Sequence, residues 1–415
     1  MSTTPTLDEF VAGARAWLAA NAEPRPERVE STWGEGSDDV SVFHNATYEE
    51  DKAIVDAGRA WQQRKADAGY ASIDWAPEFG GGGLPSAYAR AYSREESKFQ
   101  TPAYHEALGI TLELIGPTIR AWATPEQQER FLTKLRRTDE MWCQLFSEPG
   151  AGSDLARLST KAVRDGDEWI IDGQKVWTSG ARHADYGYII CRTDPDVPKH
   201  VGLTAFIVPM DAPGVEVRPL RQMSGGASFN EVFFDNVRVG DDLRLGGVGD
   251  GWRVAMTTLG FERSSAGGGG GTGKWSQVLQ LTQHLGRTDD AVIRQHLAAL
   301  YTRLTVAGWN NQRVTASARA GQTPGPEGSL GKLSYTEGLR AIGDVVSELL
   351  GPRLVADTGE WGTYAWGELL TGTPGYRIAA GSDEVQRNII GERVLGLPVE
   401  PRVDRDTPWA ELMRS

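Results

Sequence analysis

The sequence predicts an α+β chain in three successive parts: helices over about 1–137, an antiparallel β unit over 138–246 and a helical bundle over 247–415. Three observations carry that reading. Apolar residues recur at helical spacing as far as Arg137, alternating runs replace them from about Met141 to Arg244, and helical spacing returns after Trp252. A chain of 415 residues can bury a large core in two or three structural units.

The first part opens with Thr6-Leu-Asp-Glu9, a capping-box pattern, followed by Phe10, Val11, Ala14, Trp17 and Leu18 at helical spacing. Pro24-Arg-Pro26 and Gly80–Gly83 punctuate it, and Pro125-Glu-Gln-Gln starts another helix. In the second part, Tyr188–Cys191, Leu203–Val208, Val215–Val217 and Val232–Phe234 are short strands between turn residues. Trp169–Ser179 is read as a hairpin, with Asp172-Gly173 as its reversing turn. In the third part, Ile293, Leu297, Leu300 and Leu304 mark one long helix. Leu333, Ile342, Val346 and Leu349 mark a second, stopped by Gly351-Pro352, and the loop Gly321–Pro326 makes the two antiparallel.

Bulk properties narrow the function. A formal net charge of -13 argues against nucleic-acid binding, which needs Lys and Arg to neutralise phosphate. Two cysteines, Cys143 and Cys191, make no disulfide framework, and the six histidines lack metal-ligand spacing, so no metal is predicted. The N-terminus lacks the basic start and unbroken apolar run of a signal peptide, and no stretch is apolar enough to span a bilayer. A soluble, cytoplasmic protein without membrane partners is expected. Gly268-Gly-Gly-Gly-Thr-Gly273-Lys274 imitates a phosphate-binding loop, but Trp275 replaces the Ser or Thr that would hold magnesium, and a connector is the better reading.

The chemistry-bearing stretch is Phe146-Ser-Glu-Pro-Gly-Ala-Gly-Ser-Asp154-Leu155. Gly150 and Gly152 allow close approach of a ligand, and Ser147 and Ser153 put hydroxyls beside free amides. The indole of Trp177 could cover a planar ring. A planar, phosphate-bearing cofactor would use both.

Five motifs in order then resemble the acyl-CoA dehydrogenase family. They are Trp75-Ala-Pro-Glu-Phe-Gly-Gly81, Ser147-Glu-Pro-Gly-Ala-Gly-Ser-Asp154, Lys175-Val-Trp177-Thr-Ser179, Asn230-Glu-Val-Phe-Phe-Asp-Asn236 and the tail Ser382–Pro398. The resemblance implies a C-terminal four-helix bundle, FAD as cofactor, an acyl-CoA substrate and electron-transferring flavoprotein as acceptor. It places Gln144, Phe146, Ser147, Gly152, Ser153, Trp177, Thr178, Ser179, Ser382 and Glu384 at the flavin, and Ser153 and Arg263 at the substrate. Ser382, ahead of Asp383 and Glu384, also reads independently as a helix N-cap.

In this family a glutamate removes the α-proton while the β-hydrogen leaves as hydride to flavin N5, giving a 2,3-enoyl-CoA. The commoner position of that glutamate is Ala380 here, which cannot act as a base. The other position, before an arginine on the first bundle helix, is Glu262, followed by Arg263. Glu262 is therefore the expected base, with Leu259 and Phe261 making its surroundings partly apolar.

The chain also departs from the family. The Arg-x-x-Phe-Gly element offered to a neighbouring flavin is absent around Gln283–Gln295, and the later Gly-Gly-x-Gly loop is missing after Pro352. A homo- or hetero-oligomer, dimer or tetramer, is implied. The departures favour a heteromer acting on bulky CoA thioesters such as steroid side chains. A non-catalytic or half-site partner subunit, and a flavin oxidase or monooxygenase on the same fold, stay open as alternatives.

Overall fold

A computed structural model describes residues 4–26, 33–43, 45–265, 273–319, 325–401 and 404–413. The helical part contains α1 (Leu7–Asn21), α2 (Tyr48–Asp67), α3 (Ser86–Glu96), α4 (Glu106–Gly109), α5 (Gly116–Trp122) and α6 (Pro125–Arg137). Capping boxes start three of them: Thr6 with Glu9, Thr47 with Glu50, and Thr124 with Gln127. In each, a side-chain oxygen satisfies an amide that the first turn leaves without a partner. A π-helical stretch, Ile110–Ile115, joins α4 to α5.

The β part holds β1 (Trp142–Leu145), β2 (Lys161–Asp165), β3 (Glu168–Ser179), β4 (Tyr186–Arg192), β5 (Leu203–Pro209), β6 (Val215–Leu220), β7 (Phe229–Gly240) and β8 (Arg244–Leu245). Among the described residues they form one sheet in the order β6-β7-β3-β2-β4-β5-β8, with β1 on β4. Pairing is mainly antiparallel, as expected, and β4 takes both β1 and β2 in parallel. Nearly every residue of β4 and β5 is buried, so these strands read as continuous apolar runs.

One expectation is overturned. Asp172-Gly173 is not a turn, because β3 runs unbroken through it and the reversal lies at Gly166-Asp167, between β2 and β3. Gly173 has φ +151°, and a Cβ there would sit 2.5 Å from the Thr160 hydroxyl oxygen. Its lack of a side chain allows close contact with the Thr160 segment, beside a bulge in β7 where Asp235 and Asn236 oppose Asp172. Gly166, at φ +64°, supplies the turn instead.

The third part contains α7 (Gly251–Ser265), α8 (Gly273–His284), α9 (Ala291–Arg319), α10 (Gly328–Leu350), α11 (Ala365–Ile378), α12 (Asp383–Ile389) and α13 (Trp409–Leu412). α9 and α10 are antiparallel, with His296 Nδ1 2.7 Å from Glu348 Oε2 at one end and Leu304 against Gly338 further along. Ile293, Leu297, Leu300, Ile342, Val346, Leu349, Trp366 and Leu369 form their common core. α7 instead packs on the β part, where Val254 and Ala255 join the main core. Among the described residues no helix is long and apolar enough to cross a membrane.

Candidate active site

The glycine-rich loop and the strand beside it form one unit. Phe146, just past β1, is buried with its ring edge-on to Tyr188 at 5.1 Å. Glu148 and Ala151 exchange backbone hydrogen bonds of 3.0 Å, closing a tight turn over Pro149-Gly150. The Val176 amide donates to the Ser147 carbonyl at 2.9 Å, which hooks the loop onto β3.

Beneath the loop lies a sealed ion pair. Lys175 Nζ is 2.8 Å from Glu148 Oε1 and also donates to the Phe146 carbonyl at 3.0 Å. The amide and hydroxyl of Ser159 donate to Glu148 Oε2 at 2.7 and 2.9 Å, and the Thr160 amide donates to Oε1 at 2.9 Å. Burial works to raise the pKa of this carboxyl, but the Lys175 charge and these donors outweigh it and hold it at about 2. Both residues stand in motifs read from the sequence, yet nothing in either motif announces their pairing across 27 positions.

Above the pair the loop faces outward. Gly152 and Ser153 are exposed, and a Cβ at Gly150 or Gly152 would meet no atom within 4 Å. On β3, a bulge between Lys175 and Thr178 breaks the register with β7. Trp177 adopts φ +61° there and is 62% exposed. Thr178 is buried with its hydroxyl unpartnered among the described residues, and Asn230 Nδ2 donates to its carbonyl at 2.9 Å. Gln144 on β1 and Ser179 at the end of β3 are half-buried. Glycines with open space before them, an exposed tryptophan and a buried hydroxyl without a partner fit a flat cofactor with a phosphate-bearing tail.

Glu262 stands near the end of α7 and is half-buried; Leu259 and Phe261 pack against the main core. α5 locks α7 in place: Trp122 Nε1 donates to Thr257 Oγ1 at 3.0 Å, and the Thr118 and Thr258 hydroxyls lie 2.9 Å apart. Arg263 belongs to α7, and its side chain is outside the described residues. The tail residues are held elsewhere. Ser382 caps α12, accepting from the Val385 amide at 3.3 Å, and Glu384 is exposed. Asp383 fastens this helix to α10 and α11 through Thr336 at 2.7 Å, Lys332 at 3.2 Å and Arg377 at 2.8 Å. Ala380 is exposed at φ +53°. The loop and strand residues are thus brought together, while Glu262 comes from α7 and Ser382 and Glu384 from α12.

Two further features complete the picture. Of the expected connector Gly268–Lys274, positions 268–272 lie outside the described residues, while Gly273 and Lys274 open α8 and Lys274 Nζ donates to the Val40 carbonyl at 2.5 Å. Histidines distant in sequence do converge, His105 and His183 meeting at Asp51, although no group able to hold a metal is found among the described residues.

Profiles of the N-terminal, middle and C-terminal domains of acyl-CoA dehydrogenases match residues 4–139, 143–237 and 249–395. The chain belongs to the acyl-CoA dehydrogenase family. Members are oxidoreductases acting on CH–CH groups and are FAD flavoproteins. The chain is similar to acyl-CoA dehydrogenase IpdE1 of Mycobacterium tuberculosis, 40% identical over 400 residues that cover 95% of this chain and 99% of the relative. Among solved structures it is similar to the Tcur3481-Tcur3483 steroid ACAD, with TM-score 0.72, 26% identity, and coverage of 96% of this chain and 99% of that one. It is also similar to a chain of the ChsE4-ChsE5 complex from Mycobacterium tuberculosis, with TM-score 0.69, 26% identity, and coverage of 96% of this chain and 100% of that one.

Proposed function

We propose that this chain is an FAD-dependent dehydrogenase of acyl-CoA thioesters in which Glu262 is the base. The observation carrying this reading is the pairing of an exposed Ala380 with a half-buried Glu262 on a helix packed against the β part. One candidate position has lost its carboxyl, and the other keeps one on a helix whose Leu259 and Phe261 pack against the main core. Gln144, Phe146, Ser147, Gly152 and Ser153 on the loop would hold FAD, with Trp177, Thr178 and Ser179 against its ring and Ser382 and Glu384 toward its adenosine end. When bound, FAD supplies the acceptor for the hydride leaving the β-carbon. Glu262 takes the α-proton, and the electron pair of the broken α-C–H bond forms the new double bond of a 2,3-enoyl-CoA. Ser153 and Arg263 contact the thioester substrate, and electron-transferring flavoprotein reoxidises the enzyme.

The structural relatives include a steroid ACAD and a chain of the ChsE4-ChsE5 complex. A bulky, steroid-derived CoA thioester and a related partner chain follow as the substrate and assembly proposed here. The missing cross-subunit elements also support a partner that completes the flavin site.

Anaerobic titration with a panel of acyl-CoA thioesters tests the base. Glu262→Gln retains FAD and its spectrum but loses flavin bleaching by about 10²- to 10⁴-fold in rate. Bleaching at the wild-type rate in this variant would remove Glu262 from the mechanism. Purification alone and with a co-expressed sister chain tests the assembly, since full FAD content and turnover of the chain alone would reject the heteromer.

A further inference from the structure

Two residues past Ser179 the chain enters a single 3-10 turn, Ala181–His183, and there meets the helical part. The contact is a buried carboxylate, Asp51 in the first turn of α2, only 4% exposed. His105 Nε2 lies 2.9 Å from Asp51 Oδ1, while Arg182 Nη2 at 2.7 Å and His183 Nε2 at 2.6 Å share Oδ2. The Ala107 amide donates to His105 Nδ1 at 3.1 Å, so Nε2 carries the ring proton and donates to Asp51. Tyr48 stacks on His183 with centroids 5.5 Å apart, and the Arg182 guanidinium lies 5.1 Å from the same ring.

The strand end next to this cluster pairs with β7 over a short stretch, with Asn230 Nδ2 donating to the Thr178 carbonyl at 2.9 Å. The bulge at Trp177 interrupts pairing with β7, which resumes only at Thr178 and Ser179. The next amide, Gly180, reaches the Ser228 carbonyl at 3.3 Å. Gly180 itself sits at φ +66°, where a Cβ would come within 2.7 Å of Ala107 Cβ, so the exit of β3 lies directly on α4. A buried ionic cluster is weak evidence for stability and better evidence for a fixed geometry. Here it holds Arg182 and His183, three and four positions past Ser179.

We propose that Asp51 is a positioning residue for the cofactor: by holding Arg182 and His183 it sets Trp177, Thr178 and Ser179 in register with the flavin ring. This rests on the reading that those three residues face FAD. The test compares Asp51→Asn with Glu95→Gln in the full-length protein. Glu95 is also a buried carboxylate of the helical part, paired with Arg15 at 3.0 Å and Lys98 at 2.7 Å.

Asp51→Asn should raise the FAD dissociation constant on the order of tenfold, the scale of one lost charge-assisted hydrogen bond. It should also shift the visible absorbance of bound flavin. Glu95→Gln should do neither, although both variants lower the unfolding midpoint. Arg182→Gln, which leaves both histidines on Asp51, carries the same prediction should Asp51→Asn fail to fold. Unchanged affinity and spectrum in Asp51→Asn, or equal changes in Glu95→Gln, would overturn the proposal while leaving FAD binding intact. A wild-type protein that takes up no FAD would sink the functional reading, and this inference with it.

Discussion

The loop over β3 and the tail at α12 both rest on a buried acid, and they use it differently. Glu148 is sealed with Lys175, whose side chain has no exposure at all, and the two strap one loop to one strand. Asp383 is also buried, but of its partners Lys332 and Arg377 the second reaches a side-chain exposure of 37%, and the cluster ties α12 to α10 and α11, which already share a core. The first pair pins a loop whose Phe146, Ala151 and Leu155 also pack in the main core. The second reinforces a shape the bundle already has.

That contrast predicts unequal losses. Lys175→Met leaves Glu148 as an uncompensated charge in a closed site, which should destabilise the protein by about 3–5 kcal/mol. Denaturant unfolding would measure it, and FAD content should fall in parallel because the loop loses its tether. Asp383→Asn keeps the shape and part of the hydrogen bonding of its cluster, and it should lose only about 1–2 kcal/mol. Equal losses at the two sites would erase the distinction.

Acid should weaken the Glu148–Lys175 pair. The Glu148 pKa is depressed from 4.5 to about 2 in the folded protein. Its contribution to stability, on the order of 3 kcal/mol, is complete above pH 4.5 and drains away as pH falls through about 2. Glu148→Gln should therefore flatten the acid limb of a stability-against-pH curve. An acid limb identical to wild type would show that other carboxylates dominate it.

The sequence made the helical, β and bundle parts legible because their apolar periods differ, and it made the loop legible because glycine and serine spacing is local. The Glu148–Lys175 pair was hidden, since a tertiary ion pair leaves no period or spacing behind. Gly173 misled for a related reason. An Asp-Gly dipeptide suits a turn, but only the approach of Thr160 reveals that this glycine serves a close contact. Asp51 was invisible too: its partners lie 54 to 132 positions away. Glu262 is proposed from its motif position, and its half-buried setting on α7 supports that reading.

Glycine gives the finest version of the comparison. At Gly152 an added Cβ meets no protein atom within 4 Å, and the backbone is not in the left-handed region. Gly152→Ala should then leave the unfolding free energy of the FAD-free protein within about 0.5 kcal/mol of wild type, or raise it slightly by restricting the unfolded chain. Gly173→Ala places a Cβ 2.7 Å from Thr160 Cα at φ +151°, and should destabilise the protein by about 1–3 kcal/mol. FAD titration reverses the order if the loop is the pyrophosphate seat. Gly152→Ala then weakens binding without harming the fold, because its missing side chain leaves room for the ligand. Normal FAD affinity in Gly152→Ala would show that the open space at this glycine is not where the cofactor sits.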